Sequence, residues 1–432
     1  MCKITEVNYA SLPLKRSIGT KGSEVAMLRP EAKQWPSVGF ETLPWHHDPE
    51  ALAGISKTAR RRIGSTYRAA VPFEIASRPL KIDETVAHRL AEVSVELARF
   101  DAEQKNRGYD LPALLLRSES AASSQIENLT SSARNIALAE VSADAPRNAQ
   151  MIVGNINAMR QALSSADDIS LAEIKRIHSV LMNRGGFSSG GVVRQEQVWV
   201  GGYPYSPHGA LFVPPQTSRV DGCLDDFVRF TKRTDIGAIE KAAIAHAQFE
   251  TIHPFIDGNG RTGRTLLHRI LRSERVLAIS TLPVSAGLLH NIDSYMDAIS
   301  EYQQGNPLAV VNQVIDALEL AVAIGSMVAL RIDEIVQEWK SDITERSGAK
   351  IHDLPNTLIA QPVVDSKYLA ETLSITRRAA TSLIDRACEY GMLRPMGNRR
   401  RGEFYQSDDI IDLLDEISSV EGIRRIFSSG AK

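Results

Sequence analysis

The residues best able to do chemistry lie in one short run, His253-Pro-Phe-Ile-Asp-Gly-Asn-Gly-Arg-Thr-Gly-Arg264. Gly258, Gly260 and Gly263 let backbone N–H groups approach a bulky anion where side chains would obstruct it. Leu266, Leu267, Ile270 and Leu271 follow in helical register. The glycine loop therefore leads into a helix N-terminus, whose free N–H groups and dipole favour phosphate. Arg261 and Arg264 are three apart and would share a face of that helix, able to grip one polyphosphate together. Asp257 offers hard carboxylate oxygens beside the anion, suited to a Mg²⁺ that phosphates already hold. His253 is the one group of the run that titrates near neutrality, and so the natural general base. Phosphoryl-type transfer needs chiefly positioning and charge neutralisation, and the run supplies both. No Gly-Lys-Ser/Thr follows, so this is not a P-loop.

Helices must hold this run in place. Ile82, Val86, Leu90, Val93, Leu97 and Phe100 recur at three- and four-residue spacing and predict one helix, with Asp83 and Glu84 in its first turn. A second is predicted over Leu111 to Ala137. Ser170-Leu-Ala-Glu173 is a capping box for a third, which NRGGFSSGG (183–191) ends in a loop. VWV (198–200) and LFV (211–213) flank GGYPYSPHGA and predict a β-hairpin with a long tip. Helical periodicity returns at Ile239 and runs, with interruptions, to Trp339. Beyond a polar link, Ser366 to Leu373 and Ser374 to Tyr390 read as two helices, with Gly391 placed to stop the second. LRPMGNRRRGEFYQ (393–406) reads as a hairpin or wing. Residues 1–45 read as an extended N-terminal arm.

The bulk numbers exclude several classes. The 432 residues carry a net charge of −2, so no global field argues for nucleic acid or an anionic membrane. Three scattered cysteines, Cys2, Cys223 and Cys388, make neither a disulfide framework nor a metal site. The N-terminus lacks the apolar core of a secretory signal, and the most apolar run, Ala321 to Leu330, is about half of a membrane span. A cytoplasmic protein without membrane contact is expected. His246, His253 and His268 lack HExxH spacing or a thiolate, so no protein-held zinc is expected, and His246 is read as packing beneath the run.

The run matches the Fic signature, HxFx(D/E)GNGRxxR, at every specified position, and the chain resembles that family over about residues 67–330. AIAHAQFETIHPF (243–255) is similar to the family's helix leading into the motif. RQEQVWVGG (194–202) and FVPP (212–215) resemble the flap, on which a target segment adds as a strand. The resemblance implies a mainly α Fic core with a β-hairpin flap, at 151–340, after an N-terminal helical region at 46–150. It further implies AMP transfer from ATP to a Ser, Thr or Tyr hydroxyl of a protein target, or of the chain itself. His253 would be the base and Asp257 the Mg²⁺ ligand. The N–H groups of Gly258 to Gly260 would stabilise phosphate charge with Asn259 assisting, and Arg261 to Arg264, with Thr262 and Gly263 between, would complete ATP binding. Tyr295 would meet the adenosine end, with Met296 where the family usually has a second tyrosine.

Ser123-Ser-Gln-Ile-Glu127-Asn128 resembles the family's inhibitory motif, (S/T)xxxE(G/N). A carboxylate at that place would repel ATP and compete for Arg264. Residues 355–432 resemble a small winged helix–turn–helix, with Arg377 and Arg378 opening the recognition helix and Arg399 to Arg401 at the wing tip. DNA is a candidate partner there, and a second copy of the chain is another. A transcription regulator using its Fic domain as a nucleotide sensor is the alternative function.

Overall fold

The computed structural model describes residues 35–46, 55–105, 107–186, 189–397 and 403–429. The fold is mainly α, as expected. It opens, however, on a pair of strands that the arm reading did not foresee. β1 (Gly39–Pro44) and β2 (Thr66–Val71) run antiparallel, from Gly39 opposite Val71 to Pro44 opposite Thr66, with a single turn α1 (Lys57–Arg60) between them. Residues 1–34 of the expected arm lie outside the described residues.

α2 (Glu84–Gln104) buries Val86, Leu90, Val93, Leu97 and Phe100 as one stripe. Asp83 caps it from outside, accepting the Val86 N–H at 2.8 Å, and Ile82 precedes the helix. The helix expected from Leu111 to Ala137 is two: α3 (Leu111–Ile126) and α4 (Ala133–Val141). The break has a local cause. Asn128 takes φ +58°, the Asn128 N–H returns to Gln125 O (2.9 Å) and the Leu129 N–H to Ser124 O (3.0 Å). That is a Schellman close, and Ser132 then caps α4 by accepting the Asn135 N–H.

α5 (Arg147–Ser164), α6 (Leu171–Asn183) and α7 (Thr217–Thr231) surround the central pair, α8 (Ala238–Ile252) and α9 (Asn259–Ser273). α8 is buried on every side, so it lacks the polar face of a surface helix. α10 (Val284–His290) and α11 (Ile292–Gln303) lead into α12 (Pro307–Asp342). By length and composition α12 could cross a membrane, which the sequence reading missed by counting only its most apolar stretch. Its apolar residues, among them Val311, Ile315, Leu318, Ile324 and Val328, are buried against α2, α8, α10 and α11, as in the core helix of a soluble fold.

The expected flap hairpin is reduced to single bridges, Val200 with Phe212 and Tyr203 with Ser206, rather than a ladder. Paired glycines in the left-handed region, Gly201 (φ +71°) and Gly202 (φ +76°), turn the chain out of strand geometry directly after Val200. β2 supports its far side, the Ala70 N–H bonding Val213 O at 2.9 Å.

After α12 come α13 (Leu354–Ala360), β3 (Val363–Val364), α14 (Ser366–Thr372), α15 (Arg377–Glu389), β4 (Arg394–Pro395), β5 (Tyr405–Gln406), α16 (Asp408–Ile417) and α17 (Val420–Ser429). The three strands are antiparallel in the order β3-β5-β4. α15 starts three residues later than expected, because Ser374 has φ +53° and Thr376 caps the helix, accepting the Ala379 N–H. Gly391 (φ +72°) ends it as read. Arg399 to Arg401 lie outside the described residues.

Glu119 locks α3 to its neighbours. Fully buried, it accepts the Ser285 N–H (2.7 Å) and hydroxyl from α10 and lies 2.9 Å from His268 Nε2 on α9. Glu119→Ala leaves these groups without their acceptor. It is expected to lower stability by about 3 kcal/mol in chemical denaturation.

Candidate active site

α8 delivers His253 at its C-cap with φ +50° and ψ +61°, a left-handed conformation uncommon outside glycine and asparagine. Two groups hold that backbone: the His253 N–H bonds Phe249 O at 2.9 Å, and the Arg194 guanidinium donates from Nε to His253 O at 2.8 Å. Arg194 is fully buried. Its other nitrogens donate to Glu196 O (3.1 Å) and Pro215 O (2.5 Å), and its N–H to Pro254 O (3.0 Å). Both roots of the flap and the histidine thus hang on one side chain. Burial lowers Arg194 to about 10, leaving it charged at neutral pH. Burial, then the Arg194 charge, pushes the His253 imidazole down to about 4. At pH 7 the ring is neutral and able to accept a proton.

The loop between His253 and α9 is closed from within. Asn259 accepts the Phe255 N–H and donates to Phe255 O, both at 2.8 Å. Its amide therefore shapes the loop. Gly258 takes φ +79° just before α9. His178, on α6, is a residue the sequence reading missed. It accepts the Gly191 N–H at Nδ1 (2.9 Å), so its proton sits on Nε2, which meets Asp257 O at 2.9 Å. It also stacks on Phe255 with ring centroids 3.7 Å apart, and burial lowers it to about 4. Nothing in its spacing marks it; only the fold brings α6 under the loop. Asp257 Oδ1 accepts the Gly258 N–H (2.6 Å) and pairs with Arg261 Nη2 (3.3 Å).

Arg264 is fully buried and meets both ends of the Ser123–Asn128 segment. Its Nε donates to Ser123 Oγ (2.9 Å), and its Nη2 to Ser123 O (2.7 Å) and Glu127 Oε1 (2.9 Å). Burial would raise the Glu127 carboxyl, but the Arg264 and Arg261 charges outweigh it and hold the group below its ordinary value. A methyl group on Gly260 would collide with Glu127 Oε1. The carboxylate therefore sits over the N-terminus of α9, the place where the sequence predicts phosphate. The motif's last position is explained as well. Glu127 is the C-cap of α3, and the next residue must adopt the left-handed conformation that Asn128 shows.

Three other residues of the expected site are packed inward. Thr262 is fully buried with its hydroxyl directed inward, so it belongs to the helix core. Gly263 faces α8: a Cβ there would crowd His246 Nδ1 (3.1 Å) and Glu250 Oε1 (3.2 Å), so its role is close helix packing. Tyr295 is 4% exposed, with its hydroxyl 2.8 Å from His246 Nε2. It supports His246 from below. Glu250, one turn before the motif, was missed altogether. Burial raises its carboxyl to about 8, so it keeps its proton at neutral pH.

These groups fix the sign of a pH response. His178, His246 and His253 have folded values of about 4, 3 and 4 against 6.5 unfolded, so their stability is present above pH 6.5 and lost as pH falls toward 4. Glu250, raised from 4.5 to about 8, acts oppositely, its contribution fading between pH 4.5 and 8. Urea unfolding at pH 5, 6.5 and 8 is expected to give greatest stability at the middle value, with the steeper loss on the acid side.

Residues 168–271 match the model of the Fic/DOC family. Over 106 residues the chain is 38% identical to the protein adenylyltransferase fic-1 of Caenorhabditis elegans, covering 24% of this chain and 20% of that one. Over 98 residues it is 35% identical to a probable protein adenylyltransferase of Aquifex aeolicus, covering 22% and 28%. The matches thus span less than a third of those relatives' own length. The crystal structure of a Fic family protein from Desulfovibrio desulfuricans G20 shares the fold at a TM-score of 0.51 and 23% identity, over 76% of this chain and 97% of that one. At residues 168–271 the chain carries a Fic/DOC family domain.

Proposed function

We propose that the chain transfers AMP from ATP to a hydroxyl of a protein, including its own, and that Glu127 restrains this activity. One observation carries the reading: an internal carboxylate is seated on the glycine-lined N-terminus of α9 and paired with the buried Arg264. A site that must hold an anion, and holds its own, suits a polyphosphate ligand kept out by a competitor.

In this reading the neutral His253 imidazole removes the proton of a target Ser, Thr or Tyr hydroxyl. The hydroxyl oxygen attacks the α-phosphate, the bond to the β-phosphate breaks, and pyrophosphate leaves. The N–H groups at Gly258 to Gly260 receive the charge developing on the phosphate oxygens, with Arg261 and Arg264 gripping the leaving end. Arg194 holds the base and the flap in one frame. A target backbone would lie along the flap near Val200 and Phe212 as an added strand. Asp257 fits a shared Mg²⁺ site: it is partly exposed, and the contacts to Gly258 and Arg261 fall on Oδ1, leaving Oδ2 outward. Among the described residues no cluster of three or more His, Cys, Asp or Glu could hold a metal, so phosphates would complete the shell. When bound, the ion would neutralise phosphate charge. The cytoplasm is the proposed compartment.

The exposed arginines at the start of α15, Arg377 and Arg378, favour a second reading. In it, residues 355–432 act as a winged helix on duplex DNA and the Fic domain senses nucleotide. A specific gel shift with no covalent labelling supports that alternative.

Two variants test the main reading, by labelling with radioactive ATP and by nucleotide-binding calorimetry. His253→Ala is expected to lower transfer at least about 100-fold while ATP still binds. Undiminished labelling removes the base assignment. Glu127→Gly is expected to raise nucleotide affinity and self-labelling, and equal values in parent and variant remove the restraint.

A further inference from the structure

α3 carries Ser123 and leads into Glu127, and it is buried along nearly its whole length. One side is covered by α9 and α10 of the Fic core. The rest is covered by α5 and by two C-terminal helices, α13 and α16. The bonds across this seam are specific. At the start of α3 the Asp110 N–H meets Asn356 Oδ1 of α13 at 2.9 Å. At mid-helix Arg117 Nη2 donates to Gln361 Oε1 (2.8 Å), and Gln361 Nε2 donates to Ala137 O of α4 (2.8 Å). The Ser118 hydroxyl donates to Ile417 O of α16 (3.3 Å). Past the turn, the Ala133 N–H, first of α4, is capped by Asp415 Oδ1 of α16 at 2.7 Å.

The placement of these bonds is the point. The turn from Glu127 to Ser132 is suspended between two anchored stretches, α3 before it and Ala133 after it. Both stretches bond to the C-terminal elements, and within the turn Asn128, Thr130 and Ser132 are exposed. Glu127 cannot leave Arg264 and Gly260 unless this turn changes its path. Within the turn, the Schellman close fixes only its first residues. Further on, Asn148 of α5 donates to Thr130 O (3.1 Å), and α13 and α16 hold the stretches on either side.

We propose that residues 354–429 clamp the inhibitory turn, so that their seating on α3 and α4 sets the strength of the Glu127 restraint. A partner engaging the exposed face of this unit would then act on the nucleotide site by loosening Asp415 from the far end of the turn and Asn356 from the start of α3. This is a coupling between distinct sites through a contiguous packed segment. It rests on the reading that Glu127 restrains the site.

The test uses the full chain with both exposed anchors removed, Asp415→Ala with Asn356→Ala. Three quantities are compared with parent and with Glu127→Gly: nucleotide affinity, ATP-dependent self-labelling, and amide hydrogen exchange over residues 123–133. The double variant is expected to exchange faster there and to gain about 5-fold or more in affinity and labelling. Adding Glu127→Gly to it should give no more than Glu127→Gly alone, since both act on one contact. Exchange and labelling at parental values, while Glu127→Gly alone is activated, overturn the clamp and leave the restraint standing. An inactive or unchanged Glu127→Gly overturns the restraint and the clamp with it. Should the double variant fail to fold, Ser118→Ala removes a single hydroxyl from the same seam. It is expected to shift the same quantities in the same direction, and parental values for it overturn the clamp.

Discussion

The organising interaction is electrostatic: a buried guanidinium, Arg264, must have an anion in front of it. Its Nε and Nη2 are directed to Ser123 and Glu127, and from the second turn of α9 it sets its charge near the positive end of that helix. Burying such a charge without a partner is costly, so the site is complete only when occupied. Glu127 fills that need from within the chain. Its own position is otherwise poor, since a carboxylate at the C-terminal end of α3 faces the negative end of that helix. Arg264 compensates both, and the ion pair thus joins two helix ends that would each be unfavourable alone.

Around this pair the polar interior is arranged in layers. Arg194 ties main-chain carbonyls at the flap roots to His253, and His178 ties α6 to the Asp257 carbonyl. His246, Tyr295 and the protonated Glu250 lie beneath. Each of these is neutral at pH 7 except Arg194, whose charge is met by carbonyl oxygens in place of a carboxylate. The result is a positive floor at Arg264 faced by the Glu127 carboxylate, which on the proposed reading is the condition for a nucleotide and the glutamate to exclude each other.

Much of this was legible beforehand, and the gaps have physical causes. The run from His253 to Arg264 announced itself because chemistry required several residue types at fixed spacing. The Ser170 cap and the stop at Gly391 were visible because caps are local, although Glu173 pairs with Arg176 and so leaves the expected box half made. The break after Ile126 was not, since Asn128 in the left-handed region looks like any helical asparagine until a tertiary partner, Arg264, rewards the turn. The packing of Thr262, Gly263, Asn259 and Tyr295 was not visible, because helix phase and a loop-closing amide act through tertiary neighbours. Arg194, His178 and Glu250 work through non-local packing, and nothing in their neighbours along the chain signals it.

The bare α-carbon of Gly260 has an evolutionary corollary. The same few cubic ångströms that a phosphate oxygen would enter are those that the Glu127 oxygen enters now. On the proposed reading, a lineage escaping restraint could not do so by reshaping the pocket floor, since any side chain that evicts the glutamate would evict the substrate too. Heritable gain of activity is thereby channelled to the opposite wall, to Glu127, the Asn128 turn and whatever holds them. There, changes can accumulate without touching the reacting atoms.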